Sequence, residues 1–147
     1  MIQKEQIRSI LLRQIEKKIT QLHQLIDELV HTNDNKSSAG DKHETGLAMA
    51  HLEQEKLSNQ LIEASRTKEA LVRIDAKAKF NKVCYGSLVE TSLGTFYISV
   101  GIGALDIEGR SIFCMTPQAP LFGALMNKKA GESINWQGKE VRIFDVH

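Results

Sequence analysis

Asp41 and Glu44 stand three residues apart in the run Gly40-Asp41-Lys42-His43-Glu44. On a helix that spacing turns both carboxylates to one side. Presented together, they are a candidate functional pair, a reading that needs support from outside the local pattern. The spacing has a second reading, because Asp-x-x-Glu at a helix start is also a capping box. Asp41 would then accept from the first free amides, and Glu44 would reach back to the cap. The local pattern supports both readings, so the surroundings of the pair must decide. Other chemistry is sparse. The chain has no Walker loop, nucleophile elbow, metal-binding His/Cys spacing or G-x-G-x-x-G, and catalysis by it alone is not expected. Residues 34–44 lack the ligand pattern and central glycine of a calcium loop. Cys84 and Cys114 are too few and too far apart for a disulfide framework or a zinc site, and are expected as half-buried thiols on strands.

The elements that would present the acids are legible from periodicity. Ile7, Leu11, Ile15, Ile19, Leu22, Ile26 and Leu29 follow one another at steps of four or three, uninterrupted by Gly or Pro. A second stripe runs through Leu47, Ala50, Leu57, Leu61, Ala64, Leu71, Ile74 and Ala78, weakened by Gln54, Lys68 and Asp75 in core slots. Between them HTNDNKSSAGDKHET has the composition of a turn. The pattern predicts an antiparallel helical coiled-coil hairpin over residues 1–79, with its tip at 33–46 and each arm roughly 45–50 Å long at 1.5 Å per residue.

At residue 80 the composition changes. All eight aromatic residues lie between Phe80 and Phe144, and residues 80–147 hold eight of the ten glycines and both prolines. Strands are expected over Val83–Thr91, Thr95–Ile102, Ser111–Met115 and Val141–Val146. Pro120, suited to a first helical turn, opens a short apolar helix ending near Asn127. The fold class is therefore two-part: an α-helical hairpin, then a small α+β domain.

The formal charge of +1 lacks the excess of Lys and Arg that bulk nucleic-acid binding needs, so any polymer the chain meets is brought by another protein. No apolar run approaches the roughly 20 residues of a membrane span, and the first residues do not have the layout of a signal peptide. The chain reads as cytoplasmic, without a membrane partner, and monomeric.

In plan and in two motif blocks the chain resembles the Gre family of bacterial transcript-cleavage factors over nearly its full length. Gly40-Asp41-Lys42-His43-Glu44 matches the family's Gly-Asp-x-x-Glu tip. The run from Ala119-Pro120 through Phe122-Gly123 to Lys128-Lys129-Ala130-Gly131-Glu132 stands where the family has a Ser-Pro-led helix and a Gly-Lys-x-x-Gly-Asp turn. Ile98-Ser99-Val100-Gly101, Ala104, Asp106-Ile107 and Gly109 stand where the family has a strand and a Gly-closed turn. The chain departs from the family just after the tip. Thr45-Gly46-Leu47-Ala48 replaces Asn-Ala-Glu and an aromatic residue, and His43 takes a place where a basic residue is usual.

The resemblance implies an FKBP-like globular domain and RNA polymerase as partner. The coiled coil would enter the polymerase's secondary channel and meet nascent RNA only indirectly. Asp41 and Glu44 would help hold a second Mg²⁺, shared with the polymerase and bound poorly by the free chain, for cleavage of backtracked RNA. On that view Arg8, Arg13, Lys17 and Lys18, with Lys56, Arg66, Lys68 and Arg73, are candidates for contact with channel or RNA, although solvated, salt-bridged faces beside Glu16, Glu53, Glu63 and Glu69 are the favoured account of them. Pro117, Pro120, Phe122, Lys128 and Lys129 are candidates for docking on the polymerase exterior, while Leu121, Leu125 and Met126 are expected in the core. Three alternatives remain open. One is a channel-binding regulator or inhibitor without cleavage activity. Another is an FKBP-like prolyl isomerase or chaperone using Tyr85, Phe96, Tyr97, Phe113 and Trp136. The last is a coiled coil that pairs with another chain.

Overall fold

The computed structural model describes residues 2–35 and 43–147. Two long helices, α1 (Lys4–Asn35) and α2 (His43–Arg73), precede six strands and one short helix. The strands are β1 (Leu88–Thr91), β2 (Gly94–Ile98), β3 (Gly103–Ile107), β4 (Arg110–Met115), β5 (Ser133–Trp136) and β6 (Lys139–Val146), with α3 (Pro120–Leu125) between β4 and β5. A helical hairpin followed by an α+β domain is thus the observed class. The chain divides into two compact units, residues 11–69 and residues 1–10 with 70–147. The sequence boundary at residue 80 follows composition; by packing, the feet of both helices go with the sheet.

In the helical unit the stripes meet as the periodicity requires. Ile15 and Leu22 of α1 and Leu57 and Ala64 of α2 are buried, and Glu16 faces Lys68 at 3.6 Å. With Lys18 beside residues 52–63, these neighbours run in opposite order along the two helices, which are therefore antiparallel. Each well-buried Leu or Ile contributes roughly 1.5–3 kcal/mol, so a short apolar seam holds the pair. α2 ends at Arg73, one turn before the stripe predicted to reach Ala78.

The sheet unit is a six-stranded mixed sheet of order β3-β4-β2-β1-β6-β5, in which only the β2–β4 pair is parallel. One face, with Val89, Phe96, Ile98, Met115, Ile143 and Val146, packs on Val83 and on Phe122 and Leu125 of α3. The opposite face carries Leu88, Tyr97, Ile112 and Cys114, all buried. Ile2 lies beside Leu88 and Ile112 on that side. The Lys4 ammonium donates to the Ala78 carbonyl and sits 4.7 Å from the Phe80 ring centre.

Two strands absent from the sequence expectation, β3 and β5, belong to hairpins closed by Glu108-Gly109 and Gln137-Gly138. All four turn residues have positive φ, from 50° to 80°. That is the two-residue turn which matches strand twist and which glycine accommodates without strain at its second position. Residues 83–87, expected as strand, instead form a turn. The Ser87 hydroxyl accepts from the Cys84 amide and donates to the Cys84 carbonyl there. α3 starts at Pro120 as expected, and Asn127, at φ 65°, ends it by donating its amide to the Val83 carbonyl.

Tyr97 is fully buried and its hydroxyl has no hydrogen-bond partner among the described residues. Burial, opposed by Arg8, pushes its pKa up to about 12. Because an unsatisfied buried hydroxyl costs stability, Tyr97→Phe is expected to stabilise the fold by about 1 kcal/mol. Urea denaturation checks this; a loss of that size shows instead that the hydroxyl is bonded.

Candidate functional site

Residues 36–42 join the C-terminal end of α1 to the start of α2. Asp41 lies outside the described residues, as does the side chain of Glu44. The backbone of Glu44 is in the first turn of α2, which starts at His43. α1 has 32 residues and α2 has 31, so along the chain the acidic pair is flanked on both sides by unbroken helix, roughly 48 Å of it in α1 at 1.5 Å per residue.

The cations proposed for the channel separate into two kinds. Arg13, Lys17 and Lys18 are exposed on α1. Arg8 is not: its guanidinium donates to the Leu71 carbonyl at 2.8 Å and the Val72 carbonyl at 3.0 Å. It thereby satisfies two carbonyls in the last turn of α2 that the helix itself leaves unpaired. Arg8 is a structural tie between the helix feet, which corrects its assignment as a channel contact. On α2, Arg66 pairs with Glu63 at 3.0 Å and Lys68 with Glu16; both pairs are largely solvated and contribute little.

The docking candidates also divide. Pro120 and Lys129 are exposed, and Pro117 and Lys128 are half-buried. Phe122 sits in the sheet core at 7% exposure, so it cannot form part of an outer surface. A six-residue helix points few positions outward, and here Phe122 and Leu125, three apart, face the sheet. Leu125 is fully buried as expected, Leu121 is half-buried, and Met126 is 48% exposed, against expectation.

The aromatic residues do not gather into one pocket. Phe96 and Tyr97 are neighbours on β2, turn to opposite faces and are both buried. Phe113 meets Phe96 edge to face, with centroids 6.1 Å apart, yet its other side is open to solvent. Cys114 is buried on β4, which pushes its thiol up to about 12. Cys84 is half-buried in the turn before β1 rather than on a strand, and burial raises its thiol pKa too, against the influence of Lys4. A cluster that the sequence reading did not assemble lies on β1 and β6: Glu90, Asp145 and His147 bring one ligand atom each within 4.8 Å of the others. Asp-x-His at a strand end was its only linear signal. Among the described residues no helix is long and apolar enough to cross a membrane.

No protein-family model matches the chain, and no curated protein does. Solved structures similar to it include three at 17% identity. They are Gfh1 of Thermus aquaticus, at a TM-score of 0.34 and covering 92% of either chain; the GreA factor homolog 1 (Gfh1) protein of Thermus thermophilus, at 0.33 and covering 95% of this chain and 94% of that one; and the transcription factor Gfh1, at 0.33, covering 95% and 92%.

Proposed function

We propose that this chain is a Gre-like transcription factor that binds bacterial RNA polymerase and carries Asp41 and Glu44 into its secondary channel on the two-helix hairpin. There the two carboxylates help the polymerase hold a second Mg²⁺ for hydrolysis of backtracked RNA. The observation that carries this reading is the continuity of α1 and α2 on either side of the acidic run, with Glu44 in the first turn of α2. A two-helix rod is among the slimmest folded objects that span such a distance. The Gly-Asp-x-x-Glu match and the block following Pro120 support the same reading, and the FKBP-like character of the sheet unit belongs to that resemblance.

The chemistry needs little from the chain itself. Two metals roughly 3.5–4 Å apart activate a water and stabilise the leaving oxygen of a phosphodiester. With two acids the chain supplies only part of the second ion's shell, and the polymerase and the RNA complete it. The chain is then a factor that stimulates the polymerase's own cleavage and not an enzyme in its own right.

The test uses stalled, backtracked polymerase complexes with Mg²⁺, with and without the chain, and follows polymerase binding and RNA shortening in parallel. Binding with faster shortening is the expected result. Binding without faster shortening assigns the chain to the channel-occupying regulators, a role that the replaced residues 45–48 after the tip would favour. Absence of binding rejects the proposal.

A further inference from the structure

We propose that Glu90, Asp145 and His147 form a binding site for a first-row divalent transition ion of the Zn²⁺ type, distinct from the acidic pair at the hairpin turn. The site is built by strand pairing. Glu90 of β1 stands directly opposite Asp145 of β6, and the backbone of Leu88 exchanges two hydrogen bonds with that of His147. Since side chains alternate along a strand, Glu90 and Leu88 share one face with Asp145 and His147.

A break in register places them there. Thr91 pairs with Ile143 whereas Glu90 pairs with Asp145, so Phe144 is an extra residue in β6. Without it, the alternation through Val141 and Ile143 would turn Asp145 into the apolar core. With it, Asp145 and His147 join Glu90 on the opposite face while Val146 fills the core. Bulges of this kind re-aim side chains and are common beside functional sites.

The cluster brings two carboxylates and one imidazole together. Glu90 and Asp145 are like charges in a directly opposed cross-strand pair, which is unfavourable by itself. The His147 Nε2 is buried and has no hydrogen-bond partner among the described residues. It lies 3.2 Å from Asp145 Oδ2, but the two do not meet in hydrogen-bond geometry. The other carboxylate oxygen, Oδ1, is turned away and accepts from the Val146 amide. A separation of 3.2 Å is close to the edge, about 3.3 Å, of a tetrahedron whose metal–ligand bonds are about 2.0 Å. Glu90 and His147, but not Asp145, line a cavity of about 10 Å³, near the size of one water, closed also by the apolar Ile2, Leu88 and Ile112. Among the described residues Arg110 is the only Lys or Arg lining it, and its side chain, 63% exposed, pairs with Glu90 at 4.0 Å. One imidazole and two carboxylates suit Zn²⁺ better than Mg²⁺, which prefers oxygen alone.

Zinc chloride titrated into the full chain by calorimetry tests the assignment, alongside His147→Gln and Glu90→Gln, with thermal unfolding of each protein measured with and without the metal. The wild-type chain is expected to bind Zn²⁺ at one dominant site and to gain Tm on doing so. Either substitution is expected to weaken that site at least about tenfold and to remove the gain. Absence of Zn²⁺ binding by the wild-type chain overturns the proposal. So does equal affinity in His147→Gln, which would place the ion on the exposed histidines or on a thiol. A variant that does not fold is replaced as evidence by the other, since each removes a single ligand.

Discussion

Asp41→Ala combined with Glu44→Ala is expected to leave polymerase binding unchanged and to lower stimulated RNA cleavage at least about a hundredfold, which corresponds to roughly 2.7 kcal/mol of transition-state stabilisation. The separation follows from what each part of the chain does. In the proposed function affinity would come from the helices and the sheet unit, whereas the acids would act only on an ion that matters once the phosphodiester begins to break. A metal in such a site supplies several kcal/mol of charge stabilisation, and without its carboxylates the weakly held ion leaves. The capping reading predicts a different pattern. Losing a cap costs about 0.5–2 kcal/mol of helix stability and has no direct effect on chemistry. Asp41→Asn with Glu44→Gln sharpens the contrast, because asparagine caps as well as aspartate but brings no negative charge. If that pair of amides restores cleavage, or if the alanine pair never lowers it, the two acids are caps and the metal reading fails.

Leu125→Ala is expected to destabilise the sheet unit by about 2–5 kcal/mol, while Met126→Ala, at the next residue, stays within about 0.5 kcal/mol of the parent. Leu125 is fully enclosed among Val83, Phe122 and Ile143 in the core, and its truncation leaves a cavity that the surrounding strands cannot close. Met126 is 48% exposed at the end of α3 and leaves none. The comparison is read from denaturant midpoints with unchanged slopes. A cost at Met126 approaching that at Leu125 would show that the end of α3 is packed differently. The same pair bears on docking: a substitution at Met126, Pro120 or Lys129 changes a surface, whereas one at Phe122 acts through the fold.

The amino-acid sequence by itself determined the elements whose signal is local. The helical stripes from Ile7 to Leu29 and from Leu47 to Ala78 need only a period of three to four residues, and both helices are present, the second ending at Arg73. Pro120 announces a first turn by its own fixed φ, and the turn composition around Gly40 marks the join that carries Asp41 and Glu44. Tertiary structure decided what depends on partners distant in the chain. β3 and β5 are short and half-polar, and their Glu-Gly and Gln-Gly turns are weaker signals than Asn-Gly or Asp-Gly, so pairing across the sheet defines them. Arg8 looks like any solvated cation until the last carbonyls of α2 arrive beside it, 63 and 64 residues later. Phe122 and Met126 are both apolar residues of one small helix, and only the position of the sheet buries the first and frees the second. Glu90, Asp145 and His147 share a face because one extra residue in β6 shifts the pairing register. Backbone propensity is written residue by residue, but burial, pairing and charge proximity arise between segments, and only the folded chain brings those segments together.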